Sequence, residues 1–214
     1  PANAGLAINP DADYALVAAG RDHQAEEPTE LYIVAAGLAE KVFGEGTVPE
    51  AVFPAAKLTG LRYTPPFEGR IEPGTDLSGA WRVVADPFVT LDDGTGIVHI
   101  APSYGDLEQG RQHGLPHIYS VGLDGLVLNE VKVPGTDGTA AWTGLWFKDA
   151  DRLLTGNLQE RGLMFRSGTI LQSYPFNWRD GKPLMNVAKK SWYIRTTALK
   201  DKLLKTNSEI NWYP

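Results

Sequence analysis

Glycine and proline set the first limit on this chain. In 214 residues there are 23 Gly and 15 Pro, and they fall between short β-prone runs rather than at the ends of long periodic ones. Tyr14–Ala18, Glu30–Ala35, Ala51–Phe53, Trp81–Ala85 and Gly96–Ile100 read as strands, divided by Pro49, Pro54, Gly60, Pro65-Pro66, Pro73-Gly74, Pro87 and Gly94. Parallel βαβ units need a crossover helix every 25–30 residues or so. Few helices are available: Ala36–Phe43, Leu107–His113, Asp149–Arg161 and Thr197–Thr206. Asp106 is a good N-cap for the second, which Gly114 and Pro116 stop. The third puts Ala150, Leu153, Leu154 and Leu158 on one face and ends at Gly162. Leu199, Leu203 and Leu204 share a face of the fourth. The expected fold is mainly β (α+β), a closed β-barrel with a few short peripheral helices.

Composition narrows the function classes. Hydrophobic residues make up 43% and charged residues 21%, which excludes a disordered tail, a collagen-like chain and a coiled coil. Apolar runs such as Leu31–Ala36 fall far short of the ~18 residues of a membrane span, so no membrane partner is expected. The chain begins at Pro1 rather than Met, as expected of a piece of a longer protein, and a missing leader therefore carries little weight. There is no cysteine, which removes disulfides, thiolate metal sites and a Cys nucleophile and fits a reducing cytoplasm. The four histidines, His23, His99, His113 and His117, are not spaced for a zinc site; no metal is expected. Net charge is −6, yet residues 151–214 hold 11 Lys or Arg against 5 Asp or Glu. That basic stretch could meet a phosphate backbone, or could simply be a solvated face.

Chemistry concentrates in Asp92-Asp93-Gly94-Thr95-Gly96-Ile97-Val98-His99-Ile100-Ala101-Pro102-Ser103-Tyr104-Gly105-Asp106. Gly94 and Gly96 allow backbone to approach a ligand closely, a strand delivers His99, and Pro102 and Gly105 turn the chain into a helix begun by Asp106. A His at a strand end and an Asp at a helix start then face one hollow. Gly-Thr-Gly without a third glycine is no dinucleotide fingerprint. A lone buried His is more often structural than functional, and Asp106 as a plain N-cap is the default use of Asp there. Ser103, His99 and Asp106 have the residue types of a nucleophilic triad, but Ser103 is not on a Gly-x-Ser-x-Gly elbow. The aromatics Tyr174, Phe176, Trp178, Trp192 and Tyr193 could stack bases; a core or a domain interface is the commoner use.

Gly94-Thr95-Gly96-Ile97-Val98-His99-Ile100-Ala101-Pro102, the Asp106 loop and Gly114-Leu115-Pro116 together resemble the editing domain of class I isoleucyl-tRNA synthetases. Further segments carry the resemblance in the same order: Pro1-Ala2-Asn3 with Ala7-Ile8-Asn9-Pro10, Tyr63-Thr64-Pro65-Pro66-Phe67, Ser173-Tyr174-Pro175 with Trp178-Arg179, Pro183-Leu184-Met185, Ser191-Trp192-Tyr193-Ile194 and Asn211-Trp212-Tyr213-Pro214. It implies one editing domain over residues 1–214, in which 170–214 form a basic return segment toward the catalytic domain. His99 favours the isoleucine enzymes, since the valine and leucine enzymes typically carry Lys and Met there. The family's threonine-rich stretch, which precedes Pro-x-Asn, is absent from this sequence, so weak activity is expected of residues 1–214 alone. Its ATP-site signatures are absent too, so no cofactor is expected here; ATP and Mg belong to the full-length synthetase. Asn177 and Asp180 stand where bacterial relatives often have zinc cysteines.

The resemblance implies hydrolysis of the ester joining mischarged valine to the 3′-terminal adenosine of tRNA(Ile), with that 3′ end and the rest of the synthetase chain as partners. One methylene is worth only about 1–3 kcal/mol in a pocket, isoleucine against valine being the type case, so a second site must remove the smaller product. In that scheme Asp106 binds the substrate ammonium, while His99 lines the side-chain pocket and could position water. Asn3 orients the pocket, and Gly94, Thr95 and Gly96 offer backbone donors. The loop after His99 is two residues shorter than in the family. Counting forward lands on Glu108; counting back from Gly114 lands on Asp106, which keeps Leu107-Glu108 and Arg111 in register. Alternatives are the editing domain of a valyl- or leucyl-tRNA synthetase, a non-catalytic module holding the tRNA 3′ end, and a small-molecule hydrolase.

Overall fold

The computed structural model describes residues 2–19, 30–169, 171 and 173–213. Among these residues six short strands form two three-stranded sheets. The first holds β1 (Gly5–Ile8) between β5 (Arg82–Ala85), its parallel neighbour, and β6 (Ile97–Ile100), its antiparallel one. The second is antiparallel throughout, with β2 (Asp13–Ala19) between β3 (Glu30–Ala35) and β4 (Ala51–Pro54). The helices are α1 (Ala39–Phe43), α2 (Leu107–His113), α3 (Phe147–Glu160) and α4 (Lys200–Ser208).

The closed barrel expected from the sequence is not what forms. Both sheets are open. Where a barrel would need a continuous ladder between them, the two meet through two hydrogen bonds: Ala35 N–H to the Thr95 carbonyl at 2.8 Å, and the Tyr14 hydroxyl to the Gly96 carbonyl at 2.7 Å. The intervening segments contribute only isolated bridges, such as Arg62 with Arg82 and Arg70 with Tyr119. The physical cause is the turn density already evident in the sequence. Gly60, Gly74, Gly94 and Gly96 all take positive φ, and chain turning that often cannot hold a strand long enough to wrap round. The mixed α+β character stands.

Four apolar clusters hold the body together, one of them Ala15, Val17, Val34, Ala39 and Val42, where α1 packs on the second sheet. Ala7, Val84, Ile100, Leu115 and Ile118 pack on one face of the first sheet. Ile8, Tyr14, Ala35, Leu38 and Leu58 fill the junction between the sheets. Phe67, Val131, Trp142, Ala150 and Leu154 pack beneath α3, and the Trp142 indole donates to the Val131 carbonyl at 2.7 Å. Truncating Trp142 to alanine would cost about 3–5 kcal/mol. Leu153, expected on the buried face of α3, is exposed.

Residues 173–213 behave differently. Trp178, Trp192 and Tyr193 are 84, 100 and 88% exposed, and α4 buries no residue. A use of these aromatics in the core of this chain is therefore excluded. The arm touches the body at few points, among them Ala188 N–H to the Ser103 carbonyl at 2.8 Å and Lys148 over the Tyr174 ring at 5.1 Å.

Candidate functional site

β6 is a four-residue strand with Ile100 buried and His99, its neighbour, exposed on the other face. His99 lies opposite Leu6 of β1. The ring keeps solvent access, yet the protein around it desolvates the charged form and lowers its pKa below the ordinary 6.5, with the Asp106 carboxylate pulling the other way. The imidazole is therefore mostly neutral at pH 7, and Asp106 is near enough for its charge to be felt.

Asp106 is set by the loop that ends β6. Its Oδ2 accepts from the Ala101 amide at 2.8 Å, and the Ala101 carbonyl takes the Tyr104 amide at 2.9 Å. The residue stands at the N-cap position of α2 but makes no side-chain cap bond, so the plain N-cap role expected from sequence is not the one it plays. Its second oxygen has no hydrogen-bond partner among the described residues. α2 presses close behind: a Cβ on Gly110 would lie 2.5 Å from Pro102 Cγ, which holds the helix start against the end of β6. Glu108 is exposed on the first turn of α2.

Asn3 reaches the same strand end from the other side. It precedes Ala4, whose amide donates to the Ile100 carbonyl at 2.9 Å. Only 9% of Asn3 is exposed. Tyr63 donates to its Oδ1 and the Trp81 indole donates to its carbonyl at 3.1 Å. Tyr63 and Trp81 were not singled out as site residues by sequence. Tyr63 carried a signal, lying in the Tyr-Thr-Pro-Pro-Phe turn; Trp81 carried none.

Asn3, His99 and Asp106 thus gather at one end of β6. Gly94, Thr95 and Gly96 lie at the other, across the four residues of the strand, or about 13 Å. The Thr95 and Gly96 carbonyls are spent on the second sheet, and a Cβ on Gly96 would meet Ala35 Cβ at 2.5 Å. Ser103 is wholly buried and faces His117 Nδ1 at 3.5 Å, which leaves no Ser103–His99–Asp106 triad. His113 and Asp86 form a separate pair at 2.7 Å. His23 lies outside the described residues. Two open hollows, of about 330 and 440 Å³, are lined by Tyr32, Leu163 and Phe165 and by Trp142, Arg152 and Asn157. Neither is lined by Asn3, His99 or Asp106. Among the described residues no group of three or more His, Cys, Asp or Glu is placed to hold a metal ion, and no helix is long and apolar enough to cross a membrane.

No protein-family model matches the chain. Curated proteins do. An isoleucine–tRNA ligase of Thermus thermophilus is 38% identical over 216 residues, covering 100% of this chain and 18% of that protein. One from Dehalococcoides mccartyi is 36% identical over 230 residues, covering 100% and 21%, and one from Streptomyces avermitilis 38% identical over 216 residues, covering 99% and 19%. A solved structure, "The crystal structure of GlLeuRS-CP1", aligns with a TM-score of 0.49 at 15% identity over 81% of this chain and 78% of that one, too remote to weigh. The chain spans about a fifth of the curated relatives it matches. Over its whole length, the chain is similar to a segment of isoleucine–tRNA ligases.

Proposed function

We propose that this chain is the editing domain of an isoleucyl-tRNA synthetase and hydrolyses the ester between misplaced valine and the 3′-terminal adenosine of tRNA(Ile). The observation that carries the reading is homology to isoleucine–tRNA ligases along the full chain. The unspent carboxylate oxygen of Asp106 beside His99 supports it chemically. A substrate ammonium is a cation with no other obvious anchor at this end of β6, and a charged hydrogen bond to it contributes about 1.5–3 kcal/mol.

The reaction adds water to the ester carbonyl. The bond to the ribose 3′ oxygen breaks, the oxygen leaves as a hydroxyl, and valine departs as the free acid. Asp106 holds the ammonium and fixes where the carbonyl lies. His99, neutral at pH 7, limits the size of the side chain admitted and is able to orient water. Asn3 supplies an amide donor for a substrate oxygen. The Gly94–Gly96 turn anchors the strand that carries His99. The hydrolysis asks for no cofactor; ATP and Mg serve the ligase as a whole. The partners are the acylated 3′ end and the rest of the synthetase, toward which the arm at 170–214 returns, and the setting is the cytoplasm.

The test is a deacylation assay on the intact ligase with valyl-tRNA(Ile), isoleucyl-tRNA(Ile) and a small valine ester. Release of valine from the tRNA alone is the expected result. Cleavage of the small ester with valyl-tRNA left intact would mean an independent hydrolase. Tight tRNA binding with no cleavage would mean a holding module.

A further inference from the structure

Asn3 is nine-tenths buried, and its polar atoms are unequally used. The backbone carbonyl takes the Trp81 indole at 3.1 Å and Oδ1 takes the Tyr63 hydroxyl. Nδ2 has no hydrogen-bond partner among the described residues and keeps contact with solvent. Turning the amide by 180° would exchange oxygen and nitrogen. The Tyr63 hydroxyl has no other acceptor among the described residues, so a turned amide would leave its O–H unspent.

We propose that Tyr63 is a positioning residue of the deacylation site: by donating to Asn3 Oδ1 it locks the amide so that the Asn3 Nδ2 hydrogens face the substrate ester as donors. The inference rests on the editing reading above. Burial raises the Tyr63 pKa well above the usual phenol value, which keeps the hydroxyl a donor throughout the working pH range. A second observation stands apart from the hydrogen bond. Trp81 is the one non-glycine residue among those described with positive φ, at 51°. A bulky residue there is uncommon and strained, and such strain concentrates at functional sites. Trp81 is held by its amide to the Ala4 carbonyl at 2.7 Å and by its carbonyl to the Tyr63 amide at 3.0 Å. Tyr63 and Trp81 therefore form one clamp on the Asn3–Ala4 peptide. A donor fixed in advance is most valuable where charge develops on the ester oxygen during attack.

The test is a double-mutant cycle in the intact ligase with Tyr63→Phe, Asn3→Ala and the pair, read by valyl-tRNA(Ile) deacylation, isoleucine aminoacylation and thermal melting. Tyr63→Phe removes one oxygen and keeps the ring. The expected result is a fall in deacylation kcat of about tenfold, with KM within about twofold and aminoacylation and melting unchanged. In the Asn3→Ala background the same substitution is expected to do nothing more. Full deacylation by Tyr63→Phe, or an equal further loss on top of Asn3→Ala, would overturn the proposal, as would a kcat loss matched by a drop in melting temperature. A wild-type ligase that leaves valyl-tRNA(Ile) intact would instead remove the editing reading, and this inference with it.

Discussion

Strand β6 ends in a glycine turn on one side and a proline-stopped loop on the other, and the two ends use their polar atoms in opposite ways. At the Gly94–Gly96 end, backbone carbonyls are committed to the second sheet and the space beside Gly96 is filled by Ala35. At the Ala101–Asp106 end, one carboxylate oxygen of Asp106 and the amide nitrogen of Asn3 are left uncommitted, at the end of the strand that carries His99. In sequence both ends are small and polar residues in turns. What separates structural from chemical use is which hydrogen bonds are already spent, and that is decided by chain far away.

The contrast is open to direct attack. The largest effect is expected at Gly96→Ala, where φ is 71° and the new Cβ would fall 2.5 Å from Ala35 Cβ. Left-handed strain plus overpacking should cost about 2–4 kcal/mol of stability in urea unfolding, while deacylation per folded molecule is retained. A loss below about 1 kcal/mol would deny the turn its role as a tie between sheets.

Asp106→Ala should leave the fold standing and weaken binding of a non-hydrolysable valyl-adenosine analogue by about 1.5–3 kcal/mol, or roughly 10- to 150-fold. Glu108→Ala, at an exposed position, should change neither within about 0.5 kcal/mol. The reverse outcome, measured by titration calorimetry, would move the ammonium site two residues along, to Glu108.

A smaller change is expected in selectivity. His99→Ala opens space of about one side chain, and the methylene it admits is worth about 1–3 kcal/mol. The intact ligase carrying it should begin to hydrolyse isoleucyl-tRNA(Ile) while still hydrolysing valyl-tRNA(Ile). If both activities vanish with the melting temperature, His99 serves packing.

The smallest effect concerns acid. Desolvation by the surrounding protein lowers the pKa of His99 and of His117, the latter helped by Arg111 and Lys190. Below the ordinary 6.5 the unfolded chain binds protons that the folded one resists. Stability should therefore be greatest above pH 6.5 and decline as pH falls, the whole loss being reached below the folded-state values. A double His99→Asn, His117→Asn variant should show a flatter stability profile between pH 7 and 5; an unchanged slope would show that other groups carry it.

Local signals were legible where the chain writes them locally. Leu107–His113 and Glu30–Ala35 appear at the expected residues, one bounded by a left-handed Gly114 at φ 61°, the other apolar from Leu31 onward. β1 went unread as a strand. Its four residues, Gly-Leu-Ala-Ile, carry no alternation, and its identity comes from pairing with β5, almost eighty residues on. The barrel failed for a related reason: closure is a property of strand lengths and edges, to which residue periodicity is blind. The register of its neighbours picks Asp106 over Glu108 in the sequence, and the structure shows Asp106 at the start of α2 with its Oδ2 on the Ala101 amide. The Tyr63 and Trp81 contacts to Asn3 cross 60 and 78 residues, and no pattern in the sequence announces them. The aromatics of the arm could be found but not their exposure, since the same residues serve a core and a bare surface equally well.

The hydroxyl of Tyr14 accepts from the Asn9 amide at 2.9 Å and donates to the Gly96 carbonyl at 2.7 Å, so a single phenol joins β2 to the start of β6. Sheets linked in this way do not breathe separately. An opening of β2 from β3 that releases their amides to exchange with solvent must also loosen Gly96, and so the base of the strand that carries His99. The amides of the two sheets should exchange as one cooperative unit, and the geometry around His99 is only as steady as a sheet that never touches it.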